Sequence, residues 1–294
     1  MLNHLLFFAA RNSWRCYQSL SFVVVNAGGL RIPIANGMGL GMLNAHHGVA
    51  PLVRAVYAYR SGTFVDIGAN IGAVLVELTG IDRNIPYVGF EPQLQAACYV
   101  QRLIRENGLQ DTHAIYPIAL ADYCGTSVLM SNDESDVSAT LTSAIRPTSM
   151  YRNRVPISVS TGDMQLHGLE RIAAIKIDAE GAEPLVLTGL RETIKKHRPA
   201  IIIEIAPYYH IEDNSYDKSY FGDLPEEERM RLVEGRKRQM DMLAVSMEDI
   251  GYGFFRFGKD GLKKAKPPDS TLADQDFLVL PEEDAAKLGF LTTR

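Results

Sequence analysis

The chain has 294 residues, 46% of them hydrophobic, which is enough to bury the core of one large α/β domain with additions. A formal net charge of −5 argues against a protein that binds nucleic acid by neutralising phosphates. The three cysteines are widely spaced and form no C-x-x-C pair, so we expect neither a disulfide framework nor a zinc site. This cysteine usage favours a reducing, cytoplasmic setting.

Residues 1–60 are predicted to be an N-terminal extension of the main domain. They contain five arginines and no acidic residue. The apolar part of a predicted helix over residues 1–20 is too short to span a bilayer, and we expect this helix to pack on the domain. A transit peptide or a helix on a membrane surface is the alternative. The runs Ser21–Val25 and Leu30–Ile34 flank Asn-Ala-Gly-Gly and predict a hairpin.

Helices and strands alternate in the predicted main domain, residues 61–294, which indicates a mostly parallel sheet. The expected helices are Val49–Tyr59, a helix from Ala73, Pro92–Glu106, Pro184–His197 and Pro225–Asp249. The expected parallel strands are Thr63–Ile67, Tyr87–Phe90, His113–Ile118, Ala173–Ile177 and Pro199–Glu204.

Antiparallel strands are expected in two further places. Ser127–Met130 and Val155–Ser160 alternate in polarity on either side of a polar stretch, Ser131–Arg154, which we interpret as a mobile loop. An insertion at about residues 208–249 ends in the charged helix. Gly253–Phe257 and Phe277–Leu280, with no helix between them, predict a closing antiparallel hairpin.

The segment FVDIGANIG, residues 64–72, joins a strand to a helix through a glycine-containing turn. Such a turn binds a ligand at the carboxyl end of a parallel sheet. It is neither G-x-G-x-x-G nor a phosphate loop with a lysine, so it suits a cofactor without phosphate. S-Adenosylmethionine, with a sulfonium cation, an ammonium group and a ribose, fits. The candidate residues are Asp66, Gly68, Asn70 and Gly72, although Asn70 also suits an ordinary turn.

Three acidic positions follow later strands. Glu91 ends the second strand, where an acid accepts hydrogen bonds from ribose hydroxyls of S-adenosylmethionine or NAD. The segment Ile118-Ala119-Leu120-Ala121-Asp122 ends the third, where the apolar part predicts an adenine wall and Asp122 is either near the adenine amine or a loop cap. Asp178 ends the fourth and is the best candidate to face the cleft.

Glu180 and Glu183 follow Asp178, and we interpret them as residues that order the turn or favour a helix N-terminus. These acids with Glu204 could instead bind Mg²⁺; we expect no metal. As general base we predict Asp178 or His210, which follows the fifth strand; His46 and His47 are weaker candidates. We expect the loop at Ser131–Arg154 to close over the acceptor.

The sequence resembles the FkbM family of S-adenosylmethionine-dependent methyltransferases. The matching segments are FVDIGANIG (64–72), VGFEP (88–92), ALAD with Gly125 (119–125), KIDAEGAEPLVLTGL (176–190) and RPAIIIEI (198–205). The resemblance implies a Rossmann-like class I methyltransferase fold and O-methylation of a sugar, glycan or polyketide-type hydroxyl. It also implies that Asp66, Gly68, Asn70, Gly72 and Glu91 bind the cofactor, with Asp178 at the cleft.

Two other classes of function compete with this prediction. One is an inactive binding or scaffold protein on the methyltransferase fold, but such a protein has no need to retain the glycine turn and Glu91. The other is an NAD-dependent oxidoreductase, whose pyrophosphate requires the G-x-G-x-x-G turn that this sequence lacks. We therefore expect an enzyme with a small-molecule or glycan acceptor and no nucleic-acid partner.

Overall fold

The computed structural model describes residues 23–27, 29–35, 38–39, 49–132, 136, 138–144, 146–205, 222–248, 251–258, 261–265 and 276–284. The predicted helix at residues 1–20 and the histidines His46, His47 and His210 lie outside these residues. The predicted division into an extension and a main domain stays a prediction.

A β-hairpin precedes the central sheet, as the sequence predicts. Strands β1 (Val23–Ala27) and β2 (Leu30–Ile34) pair antiparallel. Val25, Leu30 and Ile32 belong to the same hydrophobic cluster as Phe64 in the central sheet. The hairpin therefore shares its core with the domain that follows.

The remaining elements confirm the alternation of helices and strands. The helices are α1 (Ala50–Tyr57), α2 (Ala73–Ile81), α3 (Leu94–Glu106), α4 (Gly162–Leu166), α5 (Glu183–Gly189), α6 (Arg191–His197) and α7 (Glu226–Glu248). The strands are β3 (Thr63–Ile67), β4 (Tyr87–Phe90), β5 (His113–Tyr116), β6 (Ala119–Leu120), β7 (Gly125–Ser131), β8 (Asn153–Ser160), β9 (Ile172–Ile177), β10 (Ala200–Glu204), β11 (Tyr252–Gly258), β12 (Gly261–Lys264) and β13 (Asp276–Pro281).

Within the described ranges, eight strands form the central sheet in the order β12-β11-β13-β10-β9-β3-β4-β5. The five strands from β10 to β5 are parallel, and β13, β11 and β12 add antiparallel pairs. This is the predicted Rossmann-like sheet with antiparallel closing strands. The strand order reverses between β3 and β9, and ligands of open α/β sheets bind at such a switch point.

Several of the predicted elements have different bounds, among them the third parallel strand and the helix predicted at Pro184–His197. The third parallel strand ends at Tyr116, not at Ile118, because Pro117 has no N–H with which to continue the ladder. Ala119 and Leu120 instead form β6 in a separate sheet, of order β6-β8-β7. The helix predicted at Pro184–His197 is divided at Leu190, whose backbone (φ −106°, ψ 6°) separates α5 from α6.

The antiparallel pair β7–β8 is confirmed, but both strands extend into the predicted loop at Ser131–Arg154. The connection also contains a 3₁₀ turn at Thr148–Met150. Within the described part of the chain, no helix combines the length and apolarity needed to cross a membrane.

Candidate functional site

A cleft of about 500 Å³ opens at the carboxyl ends of β3, β4 and β9. Its volume lies within the range of small-molecule sites. The residues that line it include those of the turn after β3, the β4–α3 junction, the segment around β6, the β7–β8 connection, the turn after β9 and the end of β10. Because these strands are parallel, their carboxyl ends bring together the motifs that the sequence singled out.

Gly68 is the residue at which the turn after β3 meets β9. Its φ of +82° lies in the left-handed region, and a Cβ there would overlap the carbonyl oxygen of Asp178. The Gly68 N–H donates to the Phe90 carbonyl at 3.0 Å. Glycine at this position thus lets three strand ends converge at the cleft.

Asn70 and Gly72 have different places in the turn. Asn70 lines the cleft in a left-handed conformation with a φ of 45°. Gly72 does not line it; it is the N-cap of α2, with a φ of 84°. A Cβ at Gly72 would lie 3.1 Å from Val100 Cγ2 on α3. Its role in the structure is to allow the helices to pack closely.

Glu91 lies at the end of β4 with only 4% of its surface exposed. Its Oε2 accepts from the Asn70 N–H and its Oε1 from the Gln93 N–H, each at 2.8 Å. Burial raises the pKa of Glu91 to about 7, although these two backbone hydrogen bonds lower it. The result is a fixed carboxylate on the cleft that ties the glycine turn to the start of α3.

Asp66 is completely buried and does not line the cleft. Its Oδ2 accepts from the Tyr87 hydroxyl at 2.8 Å, while Oδ1 has no hydrogen-bond partner among the described residues. Burial raises the pKa of Asp66, and the positive charge of Lys176 opposes that shift. Asp66 therefore lies beneath the glycine turn.

Lys176 and Asp178 form an ion pair on the cleft, with 2.9 Å between Nζ and Oδ2. Burial works to lower the pKa of Lys176, but the carboxylates of Asp178, Asp66 and Glu204 together raise it above its usual value. Sequence reasoning identified Asp178 and missed Lys176. A lysine within the otherwise apolar strand IAAIKI was the available signal, because a buried ammonium requires a paired carboxylate.

Glu183 and Glu180 order the turn after β9. Glu183 Oε1 accepts from the backbone N–H groups of Ala179 and Gly181, each at 3.0 Å. Burial raises the pKa of Glu183 to about 7. Glu180 adopts a left-handed φ of 50° and accepts from Arg146 at 2.6 Å. Among the described residues, no three His, Cys, Asp or Glu side chains are grouped as metal ligands.

Ala121 and Asp122 are not brought into the cleft. Ala121 is buried and Asp122 is exposed, and neither lines the cavity. The residues just before them, Ile118, Ala119 and Leu120, do line it. The apolar part of this segment therefore lines the cleft, and its contact with an adenine stays a prediction.

One family model matches the chain. It is the Methyltransferase FkbM domain, which matches residues 66–264, more than half of the chain. A comparison with curated proteins finds no significant match.

Solved structures of methyltransferases resemble the chain at low identity. A methyltransferase FkbM from Methylobacillus flagellatus KT is 18% identical, with a TM-score of 0.40 over 74% of this chain and 43% of that protein. The chain thus spans less than half of the length of that relative. An O-methyltransferase from Bacillus cereus in complex with SAH is 14% identical, with a TM-score of 0.42 over 81% of this chain and 83% of that one.

Proposed function

Since the chain belongs to the FkbM methyltransferase family, we propose that it uses S-adenosylmethionine to methylate a hydroxyl of a sugar, glycan or polyketide-type small molecule. One observation carries this proposal. The buried Glu91 carboxylate and the glycine turn after β3 are joined by a hydrogen bond and border the same cleft. An acid at the end of the second parallel strand is placed to accept both hydroxyls of a ribose.

The charges and surfaces of the cleft fit the parts of this cofactor. Phe90, Ile118 and Leu120 supply apolar surface near Glu91 for a base. Asp178 and Glu204 supply negative charge beyond the glycine turn, where a sulfonium and an ammonium group are favoured. The residues present therefore suit a nucleoside at one end and a cation at the other.

When bound, S-adenosylmethionine supplies an electrophilic methyl group: the acceptor oxygen bonds to the methyl carbon while the C–S bond breaks and sulfur keeps its electron pair. The protein has to align the acceptor and receive its hydroxyl proton. Asp178 is suited to that role, because it lines the cleft and Lys176 donates to one of its two carboxylate oxygens, Oδ2. His210 is the second candidate for the base.

The charge of the cleft also favours an uncharged acceptor. Among the described residues, the acids Glu91, Asp136, Asp178, Glu180 and Glu204 line it, against one basic residue, Lys176. Arg146 neutralises Glu180 from outside the lining. The remaining negative charge attracts a cationic cofactor and repels carboxylate or phosphate groups on an acceptor. A neutral hydroxylated molecule meets these conditions.

Isothermal titration of wild-type protein and two variants with S-adenosylmethionine tests the proposal. We expect Glu91→Ala to weaken binding by about 10- to 100-fold, because each hydrogen bond to a charged group contributes about 1.5–3 kcal/mol. Asp122→Asn, a change of an exposed acid outside the cleft, serves as the control and should leave affinity unchanged. Absence of binding to folded wild-type protein would favour the inactive scaffold instead.

A further inference from the structure

The connection between β7 and β8 forms one wall of the cleft. We call its described residues, 136, 138–144 and 146, the wall segment. Asp136, Ala139 and Leu141 of the wall segment line the cavity together with Glu91 and Phe90. The distance between this wall and Glu91 therefore limits which ligand fits in that half of the cleft.

Gln93 connects the wall segment to Glu91. Its side-chain amide pairs with the backbone of Asp136: Nε2 donates to the Asp136 carbonyl at 2.8 Å, and Oε1 accepts from the Asp136 N–H at 3.1 Å. Its own backbone N–H donates to Glu91 Oε1. Gln93 is 7% exposed, so both sets of hydrogen bonds are largely shielded from water.

The other end of the wall segment is held by different elements. Thr140 donates to the Glu180 carbonyl at 2.7 Å, and Arg146 donates to the Glu180 carboxylate. Arg231 on α7 donates to the Ser143 carbonyl at 2.8 Å. Among the described residues, Gln93 thus joins the wall segment to the β4–α3 side of the cleft.

We propose that Gln93 is a positioning residue that sets the spacing between Glu91 and the wall segment, and so shapes the nucleoside half of the cleft. This inference rests on the proposed function. A glutamine fits because it offers one donor and one acceptor to the backbone of Asp136. A glutamate of the same shape would lose the donor and place its carboxylate against a carbonyl oxygen, which separates the wall from Glu91.

Two ligands test this role: S-adenosylhomocysteine and 5′-methylthioadenosine, which lacks the amino-acid part. We expect Gln93→Glu to weaken both by the same factor, about tenfold, because the change affects only the nucleoside half. Gln93→Met, which removes both side-chain hydrogen bonds without adding charge, should weaken both in the same way. The matched control is Gln95→Glu, the same substitution at an exposed position of α3, and it should leave both affinities within twofold.

Hydrogen exchange separates positioning from a general loss of stability. In both Gln93 variants, faster exchange should be confined to the wall segment, with the central sheet protected as in wild type. Two results would overturn the inference and leave the proposed function standing. One is unchanged affinity for both ligands in the folded Gln93 variants, and the other is a loss of affinity confined to S-adenosylhomocysteine. A wild-type protein that binds neither ligand would overturn the proposed function, and the inference with it.

Discussion

Burial disfavours the charged form of Glu91, and the cofactor is expected to reduce this penalty. Its pKa is raised to about 7, first by burial and further by the nearby carboxylates of Asp66 and Asp178. Ribose hydroxyls that donate to the carboxylate, and a cationic ligand in the cleft, both favour the charged form. Binding should therefore lower the pKa of Glu91.

A pH dependence of binding follows from this shift. Below pH 7 the free protein holds a proton on Glu91 that the complex releases, so affinity should rise as pH increases from 5.5 to about 7 and level off above it. The increase should approach tenfold per pH unit, the limit for release of one proton. Calorimetry in buffers of different ionisation enthalpy measures the proton directly. An equally steep pH dependence in Glu91→Gln would contradict the assignment.

Gly68 provides a test of the turn geometry. Gly68→Ala should destabilise the protein by about 3–5 kcal/mol, from the strained left-handed backbone and the overlap with the Asp178 carbonyl. Chemical denaturation measures the change. Gly80→Ala is the control, because Gly80 is an exposed helical glycine with open space around its Cα, and it should raise stability by up to about 1 kcal/mol. Similar stabilities of the two variants would rule out this account of the turn.

Some residues of the site could be predicted from the sequence and others could not. Gly68 and Glu91 were identifiable because turn chemistry and a strand-end acid are local signals. The Lys176–Asp178 pair was not predicted, although a lysine two residues before a strand-end acid, on the same face of the strand, was an available local signal. Gly72 was identified as a cofactor residue but lies against Val100, a contact that only the packing of α3 determines.

At the scale of elements, the wall segment is hydrogen-bonded to the structure around it. Thr140, Arg146 and Asp136 each bond to residues outside the segment, and the mobility that the sequence predicts for this loop stays a prediction. Closure over the acceptor stays a prediction. Local polarity indicated a loop and could not indicate its docking, because Gln93 and Glu180 lie more than 30 positions away in the sequence.

The Arg146–Glu180 ion pair is expected to keep the wall segment docked. Arg146 is 7% exposed, and Arg146→Met would leave the Glu180 carboxylate without this charged donor. We expect hydrogen exchange across residues 138–144 to speed up by about tenfold or more, since a hydrogen bond to a charged group contributes about 1.5–3 kcal/mol. Arg154→Met, a change of an exposed arginine on β8, is the control. Exchange equal to wild type in Arg146→Met would show that the pair is dispensable.

The start of α3 illustrates the limits of boundary prediction. Pro92 suggested the first helical residue, but the helix begins at Leu94 with Gln93 as its extended N-cap. The Glu91 carboxylate accepts from the Gln93 N–H immediately before the helix begins. This hydrogen bond joins Glu91 on the cleft to the N-cap of α3, and the helix propensities of the surrounding residues do not predict it.

For the whole molecule, the strand order explains why separate motifs meet. The chain builds β3, β4 and β5 outward in one direction and β9 and β10 outward in the other, so the cleft forms where the two halves diverge. The alternation of predicted strands and helices along the chain is what predicts these parallel strands. The three-stranded sheet of β6, β8 and β7 could not be derived in full, because the parallel pairing of β6 with β8 is long-range.

Titration of the wild-type protein with S-adenosylmethionine, and separately with NAD⁺, tests the central claim most directly. The glycine turn lacks the G-x-G-x-x-G pattern that a pyrophosphate requires, while Glu91 and the negative cleft suit a ribose joined to a cation. We predict binding of S-adenosylmethionine at one molecule per chain and no binding of NAD⁺. Binding of NAD⁺ alone, or of neither ligand to folded protein, would contradict the account.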